Sequence, residues 1–398
     1  MAPFLLIATI LFCLALALPL VQLATGWPED APLAGMEAAA AAPAWRRAAW
    51  WQGAFQKDFD AWFARRVGFR GALVRTANQI RYALFNELAT TGGDKVVPGR
   101  AGWFYEKVYV DAFRRGGAAP ESELRRRSAD VKRLQDRLAQ DGIAFLLVIA
   151  PSKAEIYPEF LPPEADVAGR PARRSDYQNF IEHLRRDGVQ VLDAHRLFAE
   201  RKRAPGSPPL FARSGTHWNH YGAVLVAARL LEELARLTGA EEPPAVAVVG
   251  AVTNRQIASP DNDLGELANL WQRRSLAGRQ VHPQVEIRPG PDKPAVTFIT
   301  DSFGAQLITW LQRQRLLARH DSYWYNQRHY GWPGREPAAG SAPRGAGPER
   351  LAGCDAVVVV QVEVLLPDVG FGFVEETLAA YDRLDAALGA ELRTEATP

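Results

Sequence analysis

The run AVTFITDSFG at residues 295–304 decides the reading. Its first six residues are uncharged and rich in β-branched side chains, as expected of a short strand buried on both faces. TDSFG then turns the chain, and residues 305–319 continue with helical spacing. A serine at a strand-to-helix turn, here Ser302, stands exposed above the sheet. It lies beside a helix N-terminus, whose partial positive charge can stabilise an oxyanion. Capping of the following helix by Asp301 or Ser302 accounts for the same residues without chemistry.

Working outward, the chain alternates between helices and short apolar strands. A charged helix at 121–140 leads to IAFLLVIA (143–150), and a second at 175–186 leads to VQVLD (189–193). A third follows THWN and runs to 237, with Gly239 placed as its C-cap. VAVVG (246–250) precedes the central run. Beyond it come an aromatic loop, SYWYNQRHYGW (322–332), a Gly/Pro-rich stretch (333–348), the strand-like DAVVVVQVEV (355–364) and a last helix at 373–388. This order predicts an α/β domain over 95–398: a mostly parallel sheet between two helical layers, with its ligand crevice at the carboxyl ends of the strands.

Residues 3–27 carry no charge and are long enough to cross a bilayer, so 1–27 reads as an uncleaved signal anchor, with a cleaved signal peptide as the alternative. Both put the bulk of the chain outside the cytoplasm. An Ala/Pro-rich linker (28–48) and a helical region (49–94) follow; Phe55, Phe59, Trp62 and Phe63 recur at helical spacing there and read as a packing face. Hydrophobic residues make up 47% and charged residues 23%, which is globular. The net charge of +2 comes from 47 basic and 45 acidic residues, with acids interleaved around clusters such as Arg125-Arg126-Arg127, so no nucleic-acid partner is expected. Two isolated cysteines, Cys13 and Cys354, offer neither a disulfide nor a metal framework, and no cofactor is expected.

Two further features fall at the carboxyl ends of strands or in the loops above them. SGTHWNHYG (214–222) holds His217, which can take a proton from a serine and return it to a leaving group. His220 gives His-x-x-His spacing, but no carboxylate stands in register, so no metal is expected. APSKAEIYPEF (150–160) offers Lys153, Glu155 and Tyr157 to the crevice mouth, unless Pro151 and Pro158 merely set the course of a loop. Asp193 ends a strand, either as an orienting acid or as a helix cap.

GRAGWFY, PSKAEIYPE, THWN, DSF and VVVVQVEV occur in the order seen in the alginate O-acetyltransferase AlgJ/AlgX family. FDAWFARRVGFRGALVR also resembles that family's N-terminal helical region, and the likeness extends over about residues 50–390. The resemblance implies an SGNH-hydrolase-like fold in permuted order, with the histidine loop before the nucleophile. It implies a periplasmic or membrane-tethered protein that moves acetyl groups onto hydroxyls of a secreted polysaccharide. The acetyl would come from a separate integral membrane acyltransferase. Carried over by position, Ser302 is the nucleophile and His217 the base. The family's acid stands two residues before the histidine, where this chain has Gly215. Asp193 is the candidate replacement; Asp261, Asp263, a backbone carbonyl in a Ser-His dyad, and an idle site are the alternatives. The Ser302 and Gly304 amides and Asn326 are candidate oxyanion donors, with Lys153, Tyr157 and Trp218 lining the acceptor site. An SGNH esterase and a noncatalytic polysaccharide-binding or scaffold subunit are the rival functions.

Overall fold

In the computed structural model, described for residues 2–35, 41–89, 95–163, 174–254, 260–272, 279–333 and 348–395, apolar strands find cover on both faces. The strands are β1 (Val96–Pro98), β2 (Phe104–Glu106), β3 (Ala144–Ala150), β4 (Val191–Asp193), β5 (Ala245–Asn254), β6 (Gln280–Arg288), β7 (Ala295–Thr300), β8 (Arg319–Trp324), β9 (Arg328–Trp332) and β10 (Ala356–Val362). The N-terminal helices are α1 (Ala2–Thr25), α2 (Arg47–Trp51), α3 (Ala54–Ala64) and α4 (Arg70–Phe85). Next come α5 (Lys107–Arg115), α6 (Glu121–Gln140), α7 (Lys153–Ile156), α8 (Asp176–Asp187), α9 (Ala194–Arg203), α10 (His220–Thr238), α11 (Asp263–Leu267), α12 (Gly304–Arg313) and α13 (Phe373–Glu395).

The six-stranded sheet has the order β4-β3-β10-β7-β8-β9, parallel throughout except for the β8–β9 pair. Period-2 alternation sends neighbouring side chains to opposite faces. Phe145, Leu147, Ile149, Val357 and Val359 meet α6, α8 and α13, whereas Leu146, Val148, Ala150, Val358 and Val360 meet α10 and α12. The expected three layers result. A small third core joins Leu88, Val96 and Phe104 to Leu264, Ala268 and Leu270, fastening α11 to the β1–β2 pair.

Three elements differ from the sequence reading. The helix after Ser302 stops at Arg313 rather than 319, because Arg315 adopts φ +53° and the chain then re-enters the sheet. The aromatic stretch is not a loop: β8 and β9 form an antiparallel hairpin at the sheet edge. VAVVG also lies outside the main sheet, pairing in β5 with β6 as a separate ribbon. The Gly/Pro-rich stretch falls mostly outside the described residues.

The segment after α1 is docked along α4. The Asp30 carboxylate accepts from the Gly71 and Ala72 amides (2.5 and 3.1 Å), and Arg75 donates to the Ala31 and Pro32 carbonyls.

Candidate active site

Thr300 ends β7 in the middle of the sheet, and the chain must reverse at once to enter α12. Asp301 holds that turn. Its buried carboxylate accepts from the Phe303 amide (2.8 Å) and from the Val362 amide at the end of β10 (2.7 Å), and burial pushes its pKa up to about 6. Gly304 is required by packing: a Cβ there would lie 2.0 Å from the Thr300 hydroxyl oxygen. Ser302 is thereby presented above the sheet.

The histidine loop is fixed from three sides. Asn219 caps α10, accepting from the Gly222 amide (2.9 Å) and donating to the Pro209 carbonyl (2.7 Å). Lys153 is buried beneath, where its ammonium donates to the carbonyls of Ala212 and Arg213 (3.1 Å each) and of Gly215. Phe303 backs the imidazole edge-on, with ring centroids 4.9 Å apart.

These constraints bring His217 Nε2 to 2.8 Å from Ser302 Oγ. On the other side of the ring, Nδ1 lies 3.2 Å from Asp263 Oδ2. Asp263 opens α11, and its other oxygen accepts from the amides of Thr216 and Leu264 (2.8 Å each). The carboxylate is thus aimed by backbone from both the histidine loop and its own helix. A cavity of about 340 Å³ lies over the serine, lined among others by Lys95, Glu106, Tyr109, His217, Asp263 and Tyr325.

Several of the residues singled out in the sequence sit elsewhere. Asp193 is not the carboxylate at His217: it caps α9 through the Arg196 amide and is held by Tyr177 and Arg185. Asp261 is buried and accepts from Gln306. The Asn326 amide group donates to the Phe371 carbonyl and to Glu376, so it is not aimed at the serine. The Gly304 amide points to the Asp301 carbonyl (3.3 Å), so of the expected pair it is not turned toward the serine. Lys153 braces the loop rather than lining the cavity; burial holds its pKa down to about 7. Trp218 is wholly buried, edge-on to Phe303, and Tyr157 accepts from the Leu210 amide inside an aromatic cluster, so neither is a sugar platform. From the aromatic stretch, Tyr325 reaches the cavity.

Sequence reasoning missed Glu106. It accepts from the Thr216 hydroxyl (3.3 Å), lines the cavity, and is raised above the usual carboxylate range by burial. Its position directly after WFY at the end of a strand was the available signal.

The family model described as the SGNH hydrolase-like domain of the acetyltransferase AlgX matches residues 96–306, just over half of the chain. The chain belongs to this family. Its three-layer fold, with the serine at the turn after β7, is the SGNH-like architecture expected from the sequence. A probable alginate O-acetylase AlgJ of Pseudomonas aeruginosa is 31% identical over 153 residues, 38% of this chain and 35% of that protein. The Pseudomonas putida protein of the same name is 32% identical over 157 residues, 39% of this chain and 37% of that protein. The matched stretch therefore spans a little over a third of these curated relatives. Among solved structures, the O-acetyltransferase domain of Pseudomonas putida AlgJ aligns with a TM-score of 0.42 and 22% identity, over 68% of this chain and 92% of that one.

Proposed function

We propose that this chain is a serine-dependent O-acetyltransferase that esterifies hydroxyls of a secreted or cell-surface polysaccharide. The observation that carries the reading is the Ser302–His217–Asp263 relay, with 2.8 Å and 3.2 Å between partners. With Nδ1–H donated to Asp263, Nε2 is the lone-pair nitrogen and accepts the Ser302 proton as Oγ attacks the acetyl carbonyl. The tetrahedral oxyanion forms beside the Ser302 amide at the N-terminal end of α12. Collapse expels the donor's leaving group, protonated by His217, and leaves acetyl on Ser302. A sugar hydroxyl then gives its proton to His217 and attacks the acyl-enzyme, and the ester leaves with Ser302 restored. Tyr325 offers its ring to the acceptor at the cavity wall.

The names of the AlgJ relatives support a polysaccharide acceptor. The apolar helix at Pro3–Thr25, whose most apolar 18-residue window has a mean hydropathy of 2.8, supports tethering at the periplasmic face of an inner membrane, where an integral membrane acyltransferase would supply the acetyl group. Ser302→Ala tests the reading. Transfer of acetyl from 4-nitrophenyl acetate to oligosaccharide should vanish with thermal stability nearly unchanged. Persisting transfer would remove Ser302 from the mechanism, and wild-type release of acetate without any sugar ester would favour an esterase.

A further inference from the structure

The aromatic face of α3 found no core to pack on. Phe55, Phe59, Trp62 and Phe63 form one stripe, and their rings run in a ladder from Trp50 with centroids 5.6–6.1 Å apart. Yet no residue of α2 or α3 is buried: Phe55, Trp62 and Phe63 are half-buried, Phe59 is 40% exposed and Trp51 76%. Exposed Arg46 and Arg47 stand at the start of α2, and exposed Arg65 and Arg66 follow α3, with the Arg66 guanidinium 5.1 Å from the Trp62 ring centroid. So large an apolar patch on a water-facing surface is uncommon unless something covers it.

The cover is indicated by where this hairpin is attached. The turn between α3 and α4 rests on α1. A Cβ on Gly68 would lie 2.0 Å from the Pro19 carbonyl oxygen, and the Phe69 amide donates to Gln22 Oε1 (3.2 Å). Pro19 and Gln22 belong to the last turns of the apolar helix, which ends at Thr25, and Trp27 just beyond it is 79% exposed. The end of a bilayer span lies at the headgroups, the level at which tryptophan concentrates.

We propose that α2 and α3 form an interfacial paddle, lying in the headgroup region of an anionic bilayer beside the end of α1. The aromatic stripe enters the acyl boundary and the flanking arginines meet lipid phosphates. This rests on the membrane-tethered reading above. The paddle continues into α4, about 24 Å long at 1.5 Å per residue. The Asn78 amide on α4 donates to the Ala268 carbonyl (2.9 Å), one residue past the helix that carries Asp263. A bound paddle therefore fixes the cavity relative to the membrane surface.

The test uses the full chain in phosphatidylethanolamine/phosphatidylglycerol vesicles containing a lipid with a diazirine near the carbonyl end of its acyl chain. After photolysis, lipid adducts are mapped by peptide mass spectrometry. Adducts are expected on residues 45–63 as well as 3–25, and a Trp51→Asp/Phe59→Asp chain should lose those on 45–63 severalfold while keeping those on 3–25. Adducts on 3–25 alone would overturn the paddle and point to a protein cover for the stripe. Undiminished labelling of 45–63 in the double variant would also overturn it. Adducts on neither segment would overturn the membrane tether itself, and the paddle with it.

Discussion

Replacing Gly215 by Asp returns a carboxylate to the place where AlgJ/AlgX-like sequences carry theirs, two residues before the histidine. In this chain the place is taken. A Cβ on Gly215 would lie 2.9 Å from the Asp261 carbonyl oxygen, 3.0 Å from its carbon and 3.2 Å from its Cα. All three are backbone atoms, so relief requires the loop leading into α11 to move. Overpacking of this kind costs about 1–3 kcal/mol, which for a domain of this size lowers Tm by roughly 2–10 °C. Asp263 lies two residues beyond the clash, and a displacement of about 1 Å in a catalytic array costs up to about a hundredfold in rate. The new charge would also sit near Asp263 and Glu106. The burst of 4-nitrophenol on acylation by 4-nitrophenyl acetate, followed by stopped flow, should therefore slow about ten- to a hundredfold. Gly215→Ala, with the same clash and no charge, should fall similarly. A stably folded Gly215→Asp chain that acylates faster than wild type would refute this reasoning.

Asp263→Asn keeps the shape but removes the charge that orients and stabilises the imidazolium, so acylation should drop about a hundred- to ten-thousandfold. Asp193→Asn should leave the burst rate near wild type, since Asp193 serves α9 and Tyr177. Lys153 is held down to about 7 by burial, against an ordinary 10.5. Between those values the unfolded chain binds more protons than the folded one, so this group makes stability climb with pH from about 7 to 10. In urea titrations across that range, Lys153→Met should lose this climb and, without its three carbonyl contacts, unfold at lower urea throughout.

Much of this was legible in the sequence because burial and backbone reversal leave local marks. β3, β7 and β10 are short apolar runs, and Gly239 stops α10 in the left-handed conformation, at φ +71°. The DSF turn and the THWN loop were legible for the same reason: each lies between a strand or loop and the start of a helix. β8 hid because its buried positions are polar. His320 pairs with Ser322, and Asp321 with His329, so the pattern lacks the apolar alternation of a strand. Helical spacing through Leu316 and Leu317 then carried the preceding helix too far. Asp263 could be named only as one of three aspartates, since its approach to His217 depends on the small core that fastens α11 to β1 and β2. The reason for Gly215 was equally non-local. Its φ is not positive; what it avoids is the Asp261 backbone, 46 residues away.

The central claim is that His217 and Asp263 activate Ser302, and covalent labelling reads this most directly. Wild-type chain, His217→Ala, Asp263→Asn and Asp193→Asn would each be treated with a fluorophosphonate, and the adduct rate followed by intact mass with the site mapped by peptide sequencing. The account predicts a single adduct on Ser302 in wild type and Asp193→Asn at similar rates. It predicts almost none in His217→Ala and a large slowing in Asp263→Asn. An unlabelled wild-type Ser302, or labelling that is indifferent to His217 and Asp263, would contradict it.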